Sequence, residues 1–182
     1  MALGGTALLA AVAAQGTVAV RLGLGEMTGL AQRVVVGTVT DQWSETDPQS
    51  GLIFTYSVLR VSESLKGKRE AELTVREVGG TDGDYAQQLV GGPRYGVGQE
   101  VVTFLEPTED GSPFLMTVGL SQGLFRVAAD PSTGRKLASP TLDDLVLAGP
   151  GVGAAEAGPR DLETFVDEIR GTVAAARRGG GR

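Results

Sequence analysis

Residues 34–67 read VVVGTVTDQWSETDPQSGLIFTYSVLRVSESLKG, and this stretch decides the fold. Two runs rich in Val, Thr and aromatic residues flank a polar segment holding Asp47-Pro48 and Gly51, the pattern of two long strands joined by a turn. In the first run Val35, Val39 and Trp43 are set to share one face, while Val34 and Val36 make its start apolar on both. Gly37 sits between them, where a missing side chain lets a strand coil sharply or bulge. The second run, 52–65, is apolar on both parities: Phe54, Tyr56 and Val58 on one, Ile53, Leu59, Val61 and Leu65 on the other. A long strand of this kind is expected to bend and to be covered on each side.

Upstream, Met27, Leu30, Ala31 and Val34 recur at helical spacing and predict a short helix within 21–33. Downstream, Leu73 and Val75 alternate with polar residues in a third strand, and 79–92, punctuated by glycines, reads as a long irregular connection. Residues 99–105 form a fourth strand. A last strand covers 114–118 and 124–128, with a break at 119–123, and Asp130-Pro131 opens a further turn. The sum is a mainly β chain: a five-stranded OB-like antiparallel barrel over 21–140, with a short N-terminal helix.

Beyond Pro140 the β pattern stops. Thr141 with Asp144 three residues on reads as the cap of a short helix through Leu147, and the Gly/Ala/Pro-rich remainder of 141–159 reads as a flexible linker. Leu162, Phe165, Val166, Ile169 and Val173 then repeat at the spacing of an amphipathic C-terminal helix over 160–176. Residues 177–182, RRGGGR, form a tail expected to be disordered by composition.

At 182 residues, 41% hydrophobic and 21% charged, the chain has material for one domain with a real core. Net charge is −6, so the electrostatic footprint for phosphate backbones is missing and nucleic acid is not an expected partner. With Cys and His both at zero, disulfides, thiol nucleophiles, imidazole bases and the commonest zinc ligands are excluded. No cofactor is expected.

Residues 1–20, MALGGTALLAAVAAQGTVAV, carry no charged side chain and end their apolar run in small residues, with an Ala-x-Ala site at Ala11 to Ala13. That is the outline of a secretory signal peptide, and it predicts a secreted or periplasmic protein cleaved near Ala13 or Ala14. Interrupted by Gly and Gln, the run is too weak for a stable membrane span.

Four motifs invite chemistry. Gly119-Leu120-Ser121-Gln122-Gly123 matches the G-x-S-x-G elbow of serine hydrolases, with Lys136 or Lys66 as the available base. A strand pattern, Leu124 to Ala128, follows it where the elbow needs a helix, so the glycines are read as a bend and Ser121 as non-catalytic. Asp82-Gly83-Asp84 resembles the start of a calcium loop, but Tyr85-Ala86-Gln87 supplies none of the later ligands; it reads as a solvated turn, with a cation-binding structural module as an alternative. The glycines at 149, 151 and 153 follow no strand, which removes dinucleotide binding. Arg94-Tyr95, in the turn GGPRYGVGQE, is the aromatic-basic pair that fits a contact surface; its other reading has Tyr95 closing the barrel end.

The run Tyr56-x-Val58-x-x-Val61-x-x-x-Leu65-Lys66-Gly67, within a layout of short helix, long glycine-broken strand, long second strand ending in Leu65-Lys66-Gly67, three further strands and C-terminal helix, resembles the netrin-like OB barrels of the tissue inhibitors of metalloproteinases over roughly 26–128. Val35-Val36-Gly37-Thr38-Val39-Thr40 and the GxxVxxFLEP run from Gly98 to Pro107 are also similar to a class of uncharacterised exported bacterial proteins. In the inhibitors an amino-terminal Cys chelates the protease zinc, and no Cys exists here to take that role. The resemblance implies an exported, non-enzymatic binding module whose partner is a protein, a protease being the kind the inhibitors meet, contacted through barrel-end loops. The alternative is a serine hydrolase using Ser121.

Overall fold

The computed structural model describes residues 17–142, 144–148 and 158–179. In chain order the first elements are β1 (Thr17–Val20), α1 (Leu24–Leu30), β2 (Arg33–Thr46), β3 (Ile53–Lys66), β4 (Glu72–Asp82), β5 (Tyr85–Gln88) and β6 (Glu100–Pro107). After them come β7 (Leu115–Thr117), a 3-10 turn (Leu120–Gly123), β8 (Leu124–Ala129), β9 (Lys136–Pro140), β10 (Leu145–Ala148), β11 (Arg160–Asp161) and α2 (Leu162–Gly179).

Strands β2, β3 and β4 pair antiparallel in sequence, β6 lines the other edge of β2, and β7 lies between β6 and β4. The result is the expected five-stranded, OB-like closed barrel, with one correction to its strand directions. Four pairings around the ring are antiparallel, and an odd ring cannot alternate direction all the way round. The fifth contact must therefore be parallel, and it is: Val75 of β4 opposite Leu115 of β7. The barrel is mixed where the sequence reading had it antiparallel throughout.

The apolar start of β2 on both faces has a simple cause, because β2 and β6 separate two cores; β3 has its Leu59 in the barrel core and only its far end, Leu65, in the helix-side one. Val35, Val39, Val101 and Leu105 point into the barrel with Leu59, Leu73, Val75 and Leu124. Val34, Val36, Val102 and Phe104 point outward and meet Met27 and Ala31 near α1, and Phe165, Val166, Ile169 and Val173 of α2. Strands β8, β9 and β11 extend the sheet past β6, and Phe125 of β8 packs on Phe165 with ring centroids 4.7 Å apart. The C-terminal helix is as expected, and it runs three residues beyond 176. Of the four periodic residues, Met27 and Leu30 fall in α1, Ala31 caps it and Val34 opens β2; Leu30 is the exception and faces solvent.

Trp43 does not share a face with Val35 and Val39. Thr40 is the extra residue of a bulge, since Val39 opposes Leu59 while Asp41 opposes Val58. That slip turns Trp43 outward to stack on Tyr56 and turns Gln42 inward, because strand side chains alternate with a period of two. The irregular connection at 79–92 is also corrected, since β4 continues to Asp82 and returns as β5 around Gly83. Among the described residues of 141–147 no helix forms. Asp144 takes a φ of 60°, and Leu145–Ala148 pair in parallel with Thr17–Val20, a partner strand inside the stretch read as signal peptide. The predicted cleavage point, the linker over 149–157 and the last three residues of the tail lie outside the described residues.

Candidate functional site at the barrel mouth

The barrel interior changes character along its axis. On the inner face of β4, Leu73 and Val75 are followed by Glu77; on β3, Leu59 is followed toward the same end by Ser57; on β2, Val39 is followed, past the bulge, by Gln42. One end of the barrel is therefore apolar and the other is lined with hydrogen-bonding groups. Gln42 Nε2 donates to Ser57 Oγ at 2.9 Å and to the Tyr95 carbonyl at 3.1 Å. The Tyr95 hydroxyl shares hydrogen bonds of 2.7 Å with the hydroxyls of Thr103 and Thr117. This polar end opens into a cleft of about 430 Å³ between the β4–β5 hairpin and the loop carrying Arg94 and Tyr95.

Glu77 occupies the seam of the barrel. After the single pair of β4 with β7 the two strands diverge, and two residues further on Glu77 Oε1 accepts the Thr117 N–H at 2.7 Å, where a backbone carbonyl would continue a ladder. Burial pushes its carboxyl up to about 8; the Thr117 hydroxyl and amide pull it down, and Glu106 pushes it further up. At neutral pH it is mainly protonated. Burial, with Glu77 nearby, also raises the Tyr95 phenol.

Tyr95 is 8% exposed and closes the barrel end, whereas Arg94 is exposed and pairs with Asp144 at 3.1 Å. They line the same cleft but do not form an exposed aromatic-basic pair. Sequence reasoning missed Glu77 and Gln42. The Leu73-x-Val75-x-Glu77 alternation did carry a signal for the first, a carboxyl placed on the apolar face of a strand. Nothing before Gln42 marked the bulge that turns it inward.

The other sequence candidates fall elsewhere. Ser121 lies 2% exposed in the 3-10 turn between β7 and β8. Neither lysine is brought to it: Lys136 pairs with Glu100 at 2.6 Å, and Lys66 donates to the carbonyls of Thr28 at 2.5 Å and Ala31 at 2.6 Å, at the end of α1. Asp82 accepts from both the hydroxyl and the amide of Thr46, which hold its carboxyl below the usual range, so it ties the tip of the β4–β5 hairpin to the end of β2. Among the described residues no group of three or more acidic side chains is arranged to hold a metal, and no helix is long and apolar enough to cross a membrane. A cavity of similar size, about 440 Å³, lies against α2; its walls are core side chains such as Met27, Phe125 and Phe165, and its Arg160 and Glu168 pair with each other.

Fold and site together define a small barrel with a ligand-sized polar mouth. No protein-family model matches the chain, and no curated protein matches it.

Proposed function

We propose that this protein is an exported, non-enzymatic binding module that receives part of a protein partner at the polar mouth of its barrel. The observation that carries the reading is the cleft of about 430 Å³ into which the polar end of the barrel opens, floored by Glu77, Gln42 and Ser57 and rimmed by Arg94 and β5. Concave sites with a few convergent polar groups are where ligands are held. The non-enzymatic part is supported by the burial of Ser121 and by the engagement of Lys66 and Lys136 elsewhere. Export is supported by the composition of residues 1–20.

The local match to the protease inhibitors has a structural account. Leu65 packs in the helix-side core, Lys66 binds the carbonyls at the end of α1, and Gly67 has a φ of 88°. The motif thus builds a corner and does not argue for inhibition.

The test is capture from the extracytoplasmic fraction of the protein's own host. The wild type and Glu163→Lys, a change on the distant α2, are expected to retain one common partner that Ala86→Trp, which fills the cleft from β5, loses. Equal recovery by all three would overturn the assignment of the mouth, and recovery of the protein with an intact Met1 in the cytosol would overturn export.

A further inference from the structure

The seam explains why an acceptor is needed beside the Thr117 N–H, but not why that acceptor is ionisable. A glutamine would offer the same carbonyl oxygen without the cost of burying a titratable group. Glu77 is the only carboxyl among the described residues lining the cleft; the only cation there, Arg94, is already paired with Asp144. The charged or titratable groups around Glu77 are Glu106 of β6, the Tyr95 phenol in the loop above and Arg94 at the rim; β2 and β3 contribute only neutral Gln42, Thr55 and Ser57. The floor therefore holds one carboxyl with no cation beside it, held neutral by burial and free to ionise if a positive charge is brought in, in a chain whose net charge is −6.

Resting on the reading of the mouth as a partner site, we infer that the cleft admits a cationic side chain of the partner, lysine or arginine, which pairs with the Glu77 carboxylate. The exchange balances simply. The Glu77 carboxyl gives its proton to solvent, and an N–H of the incoming ammonium or guanidinium becomes the donor to the carboxylate, so binding below the carboxyl's own titration releases one proton. The long alkyl stem of either side chain suits a recessed charge.

The experiment uses n-butylguanidinium and n-butylammonium as probes on the full chain, followed by calorimetry in buffers of different ionisation enthalpy. Saturable binding is expected at pH 6.5 with release of close to one proton, falling toward none at pH 9.5, and butyrate is expected not to bind. Glu77→Gln should weaken the cations at least tenfold while keeping the fold. The carbon resonance of the wild-type Glu77 carboxyl should also move to its ionised position on saturation at pH 6.5, a readout that needs no variant. Undiminished binding to Glu77→Gln, absence of proton release, equal binding of butyrate, or a carboxyl resonance that stays neutral would each overturn the inference. If the partner is still lost with Ala86→Trp while the cations fail to bind, the recognition chemistry is wrong and the mouth assignment stands; if Ala86→Trp captures like wild type, the mouth assignment itself fails.

Discussion

Gly37 sits where β2 crosses β3 so closely that an added Cβ would meet the Arg60 carbonyl oxygen at 2.8 Å, beside a register shift between Val36 and Gly37. Gly37→Val is expected to lower stability by about 1–3 kcal/mol, read as a lower urea midpoint at constant slope. Glu77 makes a prediction of the opposite kind, about pH. Its carboxyl is raised from 4.5 to about 8, so between those values the folded protein keeps a proton that the unfolded chain has lost. Stability therefore falls as pH rises through that window and levels off above it. The melting temperature should decline from pH 5 to pH 8.5, and Glu77→Gln should remove most of that decline. A residual slope of the same sign is expected from Glu106, which burial and Glu109 also push up. A profile that Glu77→Gln leaves unchanged would show that Glu77 is ionised in the fold. The glycine was legible in the sequence as a break in a β-branched run, whereas the titration of Glu77 depends on which face of β4 is enclosed, and closure is a property of the whole ring.

The 3-10 turn from Leu120 to Gly123 is the element where motif and structure most needed separating. Gly119 enters it with a φ of 64°, and a Cβ on Gly123 would lie 2.6 Å from the Val118 carbonyl oxygen and 3.1 Å from that of Phe104. The turn lets β7 and β8 run one after the other along the same edge of β6, so the sequence reading of one last strand with a break describes the local path well. Ser121→Ala is expected to leave the melting temperature within a degree or two and partner capture intact, while Gly123→Val should distort or unfold the domain. Covalent labelling of Ser121 in the folded protein by a fluorophosphonate, lost on heating, would reverse this reading. Elements stabilised by their own pattern were legible: β2, β3 and the stripe of α2. Elements that exist through their partners were not. β9 is a short polar-edged strand that gains its place between β8 and β11, and β10 forms because Thr17–Val20 lies beside it. A local capping signal at Thr141 loses to that pairing; the Thr141 hydroxyl donates to the Leu124 carbonyl at 3.1 Å.

At the scale of the molecule, one barrel serves two cores and leaves a polar mouth between them and solvent. The apolar half of the barrel and the helix layer carry the burial, so the mouth can hold Gln42, Ser57, Glu77, Tyr95, Thr103 and Thr117 in one hydrogen-bonded end. Strand runs apolar on both faces foretold a layer on each side of the sheet, but the mouth depends on the bulge at Thr40 and on the parity of a five-stranded ring, neither of which has a strong mark in single residues. The central claim is that this mouth is where the partner sits. Its most direct measurement is site-specific photo-crosslinking in the native extracytoplasmic fraction, with a benzophenone side chain placed at Gln88 on the cleft and, separately, at Glu163 on α2. A single partner band from position 88 that is absent from position 163, and that disappears when Ala86→Trp is added, is the predicted result. Equal bands from both positions, or a band from position 163 alone, would contradict it.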